Sequence, residues 1–198
     1  MRCWPGCWSC SRSQSCAAAD NVNRHSSVPA DTVRSVYSAA ALVLHPTIHA
    51  AEIARFWSYV VPGPREIDCD IWVGAIGSDG YGRFRVSRGG CVFSIRPNRY
   101  ALALANGGVL ESGVLALHTC DNPICIRVSD RHVRAGTQSE NMIQMVRMRR
   151  GGAQRPLRQG DSRGARRERS VALREAVRDG WDPAAVEAAL IGEHPTLW

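Results

Sequence analysis

The chain reads LHTCDNPIC over residues 117–125 and RHVRAGTQSENM over residues 131–142, and these two segments decide the fold prediction. Short runs of β-type residues occupy 114–118 and 124–128. The link between the two runs contains Asp, Asn and Pro, each of which favours a turn. The pattern therefore predicts a β-hairpin across the first segment.

A helix is predicted directly after this hairpin. Thr137 and Glu140 have the spacing of a capping box, in which each side chain hydrogen-bonds the other residue's backbone N–H. Gly151 is the expected end of the helix. Methionines recur on or near one helical face and are interpreted as core residues: Met142, Met145 and Met148. The hairpin and the helix together form a small ββα unit.

Upstream of this unit, the sequence predicts further antiparallel β-structure. Residues 71–76 and 81–86 flank a Gly-Ser-Asp-Gly turn segment and are typical of a β-hairpin. Residues 91–96 form a third predicted strand, and Pro97 opens a helix that ends at Ala105. The expected fold class is α+β, with small β-hairpins around the ββα unit and a helical, basic C-terminal extension.

The composition also predicts how the chain is divided. Residues 1–30, rich in Ser, Asn and Arg, are expected to be a disordered leader, and 31–51 a partly helical lead-in. A compact domain is predicted over 52–152. Residues 153–167 are expected to be a basic linker, and 168–198 a short helical segment. On this division, residues 153–198 can be removed without disturbing the compact domain.

Hydropathy argues against a membrane protein and against an exported one. The chain has 198 residues and is 44% hydrophobic, which is enough to bury a core. The apolar run at 39–44 falls far short of the ~20 residues needed to span a bilayer. The first residues, MRCWPG, lack the apolar stretch of a secretory signal. We therefore expect a cytoplasmic protein.

Positive charge is concentrated near the C-terminus. The 25 basic residues are all arginines, and the net charge is +7. Residues 147–178 hold 11 arginines against three carboxylates, a balance of +8, so the rest of the chain is close to neutral. A basic segment beside a neutral body favours a polyanionic partner, most simply nucleic acid. The alternative is a solvated, disordered tail.

Two histidines stand 14 residues apart in the deciding stretch, His118 at the end of a predicted strand and His132 just before the helix. A hairpin between them can bring both imidazoles to one side of the helix. One neutral imidazole can accept a proton from water, and another can bind a divalent cation. Such a cation would stabilise the charge that builds on a phosphate during in-line hydrolysis.

This stretch resembles the HNH endonuclease family in its phage and actinobacterial form. The pattern H-x-C-x-N-x-x-C begins at His118, and the helix start Gly-Thr-Gln-x-x-Asn begins at Gly136. Further matching segments lie upstream: Phe56-Trp57, Cys69 to Ala75, Gly80 to Arg83 and Asn98 to Leu102. The resemblance covers roughly 52–152 and implies a ββα-metal nuclease domain.

The resemblance also implies roles for individual residues. His118 matches the general base that activates the attacking water, and His132 matches a ligand of the catalytic metal, Mg²⁺ or Mn²⁺. Asn141 matches the asparagine of the following helix. Leu117 stands where many relatives have Asp or His as a first metal ligand.

The middle asparagine of the family name has more than one candidate. Asn122 is available and lies in the predicted turn. Asp121 or Asp130 would supply a carboxylate instead, with Asp121 as a candidate ligand of the catalytic metal.

Cysteine spacing adds a possible structural Zn²⁺ site. Cys120 and Cys125 form a C-x4-C pair, and the resemblance implies Cys69 as a third ligand. No fourth ligand is assigned, and Cys91 is the nearby remaining cysteine. The alternative is a set of small buried thiols. A second cysteine cluster near the N-terminus fits no common zinc finger: Cys3, Cys7, Cys10 and Cys16.

The predicted function is a metal-dependent endonuclease that hydrolyses DNA phosphodiester bonds in a bacterial cell, with a phage origin also open. The alternative is a DNA-binding module that keeps the scaffold without catalysis, which the leucine at 117 favours. Arginine forks pair well with phosphate, so the arginines that end the helix and those that follow it are candidate DNA contacts. These are Arg147, Arg149, Arg150, Arg155 and Arg158.

Overall fold

A computed structural model describes residues 41–88, 91–147 and 163–191. The predicted leader, the first part of the lead-in (31–40) and most of the basic linker lie outside the described residues. The four N-terminal cysteines and several candidate DNA contacts also lie outside them: Arg149, Arg150, Arg155 and Arg158.

Within these ranges the chain forms nine short strands and five helices, and the predicted α+β class is confirmed. The elements are β1 (Leu42–Val43), α1 (Ala50–Trp57), β2 (Val60–Val61), β3 (Ile71–Trp72), β4 (Ala75–Ile76), β5 (Gly82–Arg88), β6 (Cys91–Ile95), α2 (Pro97–Ala105), β7 (Val109–Leu110), β8 (Leu115–His118), β9 (Val133–Gly136), α3 (Gln138–Arg147), α4 (Arg163–Ala176) and α5 (Pro183–Ile191).

All the paired strands are antiparallel, in the orders β1-β7, β2-β3, β4-β5-β6 and β8-β9. The predicted strand 71–76 is split between two sheets, since β3 pairs with β2 and β4 pairs with β5. The break falls at Gly74, where a Cβ atom would lie 2.5 Å from the Trp72 ring. Glycine there lets the chain pass beneath the indole, and the strand ends.

Four aromatic rings form the centre of the core. Phe56 is fully buried, with its ring centroid 4.5 Å from that of Tyr100, 5.4 Å from that of Phe84 and 5.5 Å from that of Trp72. Aromatic pairs at such distances stabilise a core beyond the area they bury. This cluster joins α1, the β5 sheet and α2 into one support for the β8-β9 hairpin.

A half-buried ion pair ties α1 to β5. Arg88 Nη2 lies 2.6 Å from Glu52 Oε1, and the Tyr100 hydroxyl donates to the same oxygen at 2.8 Å. Burial opposes the charge of Glu52, but the hydrogen bonds from Arg88 and Tyr100 outweigh it and lower the pKa of that carboxyl. Burial and Glu52 together raise the pKa of Tyr100.

The C-terminal helices differ from the prediction of a separable tail. Leu173 of α4, Val177 in the turn just after it and Val186 of α5 are buried in the same core as Trp72 and Phe84. Helix α4 begins at Arg163, within the predicted linker. Its apolar face packs against the core through Leu173, and this packing stabilises the helix. The N-terminal boundary at residue 52 also differs, since β1 pairs with β7 and buries Leu42.

In the part of the chain that the structure describes, no helix combines the length and the apolar character needed to cross a bilayer.

Candidate metal centre and adjacent cavity

A 14-residue loop joins β8 to β9 and carries most of the candidate site. The prediction that 124–128 is the second strand of this hairpin is wrong, since β8 pairs with β9, with His118 opposite Val133. The loop instead forms two backbone hydrogen bonds with the β3 region. The backbone N–H of Trp72 donates to Ile124 O, and the backbone N–H of Ile126 donates to Asp70 O, both at 2.9 Å. This pairing brings the loop beside Cys69.

Four side chains converge where these segments meet. The Sγ atoms of Cys69, Cys120 and Cys125 and a ring nitrogen of His132 all lie within 4.8 Å of one another. Nδ1 of His132 is 3.6 Å from Cys69 Sγ and 3.7 Å from Cys125 Sγ. His132 and Cys125 are buried, and the other two side chains are half-buried.

The imidazole of His132 is held by a backbone contact on its other side. Nε2 lies 3.1 Å from the carbonyl oxygen of Glu66, which can only accept a hydrogen bond. Nε2 therefore carries the proton, and Nδ1 presents its lone pair to the three thiols. An imidazole whose second nitrogen is fixed in this way is typical of a metal ligand.

The three thiols are close enough to compete for protons. Hydrogen bonds from Cys125 and Cys69 lower the pKa of Cys120. The contact with Cys120 raises the pKa of Cys69 to about 12, and it also raises the pKa of Cys125. Adjacent sulfurs cannot all carry negative charge unless a cation lies between them. The three sulfurs are therefore arranged so that a bound metal ion would stabilise their negative charge.

The donor set fits zinc. Three thiolates and one imidazole form a common structural zinc site, with Zn–S about 2.3 Å and Zn–N about 2.0 Å. A tetrahedral ion with those bonds places sulfur and nitrogen about 3.5 Å apart, close to the two contacts of His132 Nδ1. The cluster could hold a metal ion such as zinc, and Cys69, Cys120 and Cys125 lie together as predicted.

Sequence reasoning missed the fourth member of this cluster. His132 was expected at the catalytic metal, but one of its nitrogens faces the thiols and the other faces Glu66. Neither nitrogen is left for a second metal. The spacing Cys120-x4-Cys125-x6-His132 is compatible with one metal site and could have indicated it.

His118 lines a separate cavity of about 320 Å³, which none of the four cluster side chains lines. Its ring stacks on Tyr81, with centroids 5.9 Å apart and planes 15° from parallel. The residue is partly exposed, but its Nε2 atom is buried and has no hydrogen-bond partner among the described residues. Burial lowers the pKa of His118 to about 4. The imidazole is therefore neutral at pH 7.

Helix α3 forms the opposite wall. The predicted capping box is present: Glu140 donates its N–H to Thr137 Oγ1 at 3.2 Å, and Thr137 donates its N–H to Glu140 Oε2 at 2.7 Å. Asn141 and Gln144 line the cavity, and Gln144 Nε2 donates to His118 O at 2.5 Å. The helix start thus places the Asn141 amide in the same cavity as the His118 ring.

The prediction that the α3 methionines fill the core is wrong. Met142 is 50% exposed and Met145 36% exposed, and Met148 lies outside the described residues. The hairpin covers little of this helix, because the cavity separates the two elements. Arg147, at the described end of α3, is exposed.

The remaining candidates lie around the turn after β8. Asp121 has a left-handed backbone with φ of 60° and lines the cavity. Asn122 is buried, and its Oδ1 accepts the Ile124 N–H at 3.1 Å, so it shapes the turn and does not line the His118 cavity. Asp130 is exposed beyond the metal cluster.

Comparison with known proteins identified no matching family model, curated protein or solved structure.

Proposed function

We propose that this protein is a metal-dependent endonuclease of the HNH type that hydrolyses DNA phosphodiester bonds. The observation that carries the proposal is the cavity between the β8-β9 hairpin and α3, which contains His118 and Asn141 together. A hairpin followed by a helix, with a histidine at the hairpin end and an asparagine on the first turns of the helix, is what the family resemblance implies.

In this proposal His118 is the general base. Nε2 is buried without a hydrogen-bond partner among the described residues, so a water molecule that reaches it from the cavity would fill this contact and could give its proton to the imidazole. Tyr81 supports the ring by stacking, and Gln144 ties the His118 backbone to α3. These contacts fix the direction from which the imidazole reaches the water.

A catalytic Mg²⁺ or Mn²⁺ would need oxygen ligands, and the cavity offers two residues that fit. The Asn141 amide and the Asp121 carboxylate both line it, and such hard oxygen donors suit these ions. When bound, the cation would supply charge stabilisation for the phosphorane-like transition state. His132 is not part of this set, since it lies in the thiol cluster.

The thiol cluster is proposed to hold a structural Zn²⁺. It joins Cys69, which precedes β3, to the loop that carries Cys120 and Cys125. Because His118 is two residues from Cys120, a metal at the cluster would also fix the position of the general base. The zinc would therefore hold His118 in position and take no part in the hydrolysis.

The proposal is tested with supercoiled plasmid, with and without added Mg²⁺ or Mn²⁺. Omitting the ion is preferred to adding a chelator, because a chelator would also remove zinc. The wild type should nick or linearise the plasmid only when the ion is present. His118→Ala should lose about 10²–10⁴-fold in rate, the usual contribution of a general base.

His45→Ala is the matched control, since that histidine is exposed and lies outside the cavity. Equal cleavage by His118→Ala and the control would remove His118 from the mechanism. A wild-type protein that binds the plasmid but never cuts it would instead favour the non-catalytic DNA-binding module.

A further inference from the structure

We infer that Arg166, on the C-terminal helix α4, binds the phosphodiester group of the nucleic acid in the His118 cavity. The inference rests on the proposed function and assigns its substrate contact to an element outside the ββα unit. Arg166 lines the cavity together with His118 and Asn141, although it is 48 residues further along the chain than His118.

Helix α4 is held against the cavity by close backbone packing. A Cβ atom at Gly80 would lie 2.9 Å from Arg166 Cγ and 3.1 Å from the Arg166 carbonyl. Gly80 also has φ of 83°, a conformation that favours glycine. The β4-β5 turn and α4 therefore meet at Arg166, which fixes the base of its side chain at the cavity rim.

The cavity carries an excess of positive charge. Three arginines line it, Arg96, Arg99 and Arg166, against one carboxylate, Asp121. A phosphodiester carries one negative charge, and arginine forks bind such oxygens through two donors at once. The charge of the cavity therefore matches an anionic substrate.

Arg96 and Arg99 are already engaged within the protein. Arg96 Nη2 lies 3.3 Å from Asp79 Oδ2, and its guanidinium stacks 4.1 Å above the Tyr81 ring. Arg99 is buried, and its Nη1 donates to Val114 O at 2.7 Å. Both side chains support the walls of the cavity.

Arg166 is engaged least. Among the described residues, the hydrogen bonding of its guanidinium is one long contact, 3.4 Å from Nη1 to Asp79 O. No carboxylate within the described ranges lies at ion-pairing distance from it. A guanidinium has five N–H donors, so most of those on Arg166 are unused by the described residues and can serve a ligand. This half-buried cation is thus the group best placed to meet a phosphate oxygen.

The test measures binding of a short fluorescent DNA duplex by anisotropy, with no Mg²⁺ added. Arg166→Gln should weaken binding by about tenfold or more and lower the log–log salt slope by about 0.9, the loss of one phosphate contact. Arg167→Gln is the matched control, because it removes the same charge from an exposed neighbour on α4 that does not line the cavity. Its effect should be clearly smaller.

Zinc content and melting temperature establish that each variant is folded. If Arg166→Gln is not, Arg166→Met takes its place, since it keeps the aliphatic stem that packs near Gly80. Equal affinities for the Arg166 and Arg167 variants would overturn the inference, and so would a wild type without measurable affinity for DNA. Plasmid cleavage by the wild type separately decides the proposed function.

Discussion

Nε2 of His132 lies 3.1 Å from the carbonyl oxygen of Glu66, and this contact determines which ring nitrogen faces the thiols. Because Nε2 must donate there, Nδ1 is the free lone pair, and it points at Cys69 and Cys125. The Glu66 carbonyl therefore directs the free nitrogen of this histidine to the thiol cluster. His132 thus belongs to the Cys3His cluster, whereas His118 lines a cavity that no member of the cluster lines.

We expect purified protein to contain close to one zinc per chain. His132→Ala and Cys125→Ser should each lose most of it, because a tetrahedral site with three ligands binds zinc far more weakly. Structural zinc contributes directly to folding, so both variants should also melt at lower temperature. Elemental analysis and thermal melting would check this.

The exposed His45→Ala provides the control for loss of a histidine and should retain zinc. A zinc-free wild type with the same melting temperature as the zinc-loaded protein would show that the four side chains only pack together.

Tyr81 is expected to position His118. Tyr81→Leu removes the ring on which the imidazole stacks at 5.9 Å, and cleavage should fall by about tenfold or more, since small misplacements of a catalytic group are costly. Tyr81→Phe keeps the stacking surface and should cleave almost as fast as wild type. The readout is the rate at saturating DNA, with affinity measured separately. Equal rates for the two variants would mean that the ring contact does not matter.

Local signals predicted the elements next to the site well. The capping box of Thr137 and Glu140 is present atom for atom, and the β4-β5 turn and the helix opened by Pro97 also form. Such features depend on residues three or four positions apart, so the sequence alone carries the information.

Long-range contacts were harder to predict. The run at 124–128 has β-type residues, yet the loop must bring Cys120, Cys125 and His132 to one point, and that requirement prevents a second regular strand. Similarly, nothing local to Leu173 indicates that it packs in the core near Trp72. Both outcomes depend on partners about 50 to 100 residues away in the chain.

Glu52 should stabilise the fold through its contacts with Arg88 and Tyr100. Glu52→Gln is expected to lower the free energy of unfolding at pH 7 by about 1–3 kcal/mol, the cost of weakening charged hydrogen bonds in a half-buried place. Glu175→Gln makes the same chemical change at the exposed pair with Arg178, so it is the control and should cost clearly less. Urea unfolding would measure both.

The contribution of Glu52 should also depend on pH in one direction. Because folding lowers its pKa, the stabilisation is complete above the unfolded pKa of about 4.3 and is lost as the pH falls through the lower, folded value. The difference in the free energy of unfolding between wild type and Glu52→Gln should be constant from pH 7 to pH 5. It should become smaller below about pH 4.3. A difference that grows on acidification would contradict this assignment. Any metal bound at the thiol cluster would be lost at low pH from both proteins alike, so its loss would cancel in the comparison.

The C-terminal helices should be required for a stable fold, contrary to the expectation that residues 153–198 are a separable tail. Leu173 is 1% exposed and belongs to the core, so Leu173→Ala should lower the free energy of unfolding by about 2–5 kcal/mol. Leu190→Ala makes the same chemical change on α5, where the side chain is 48% exposed, and should cost much less.

Removing residues 153–198 altogether would expose the core beneath Leu173, Val177 and Val186 and take Arg166 away from the cavity. The truncated chain should therefore melt at a markedly lower temperature than the full chain and lose cleavage even at low salt. Thermal melting and the plasmid assay at low ionic strength would measure both effects. A truncated chain that melts like the full protein and still cuts would show that α4 and α5 are dispensable, and would place the whole active unit before residue 153.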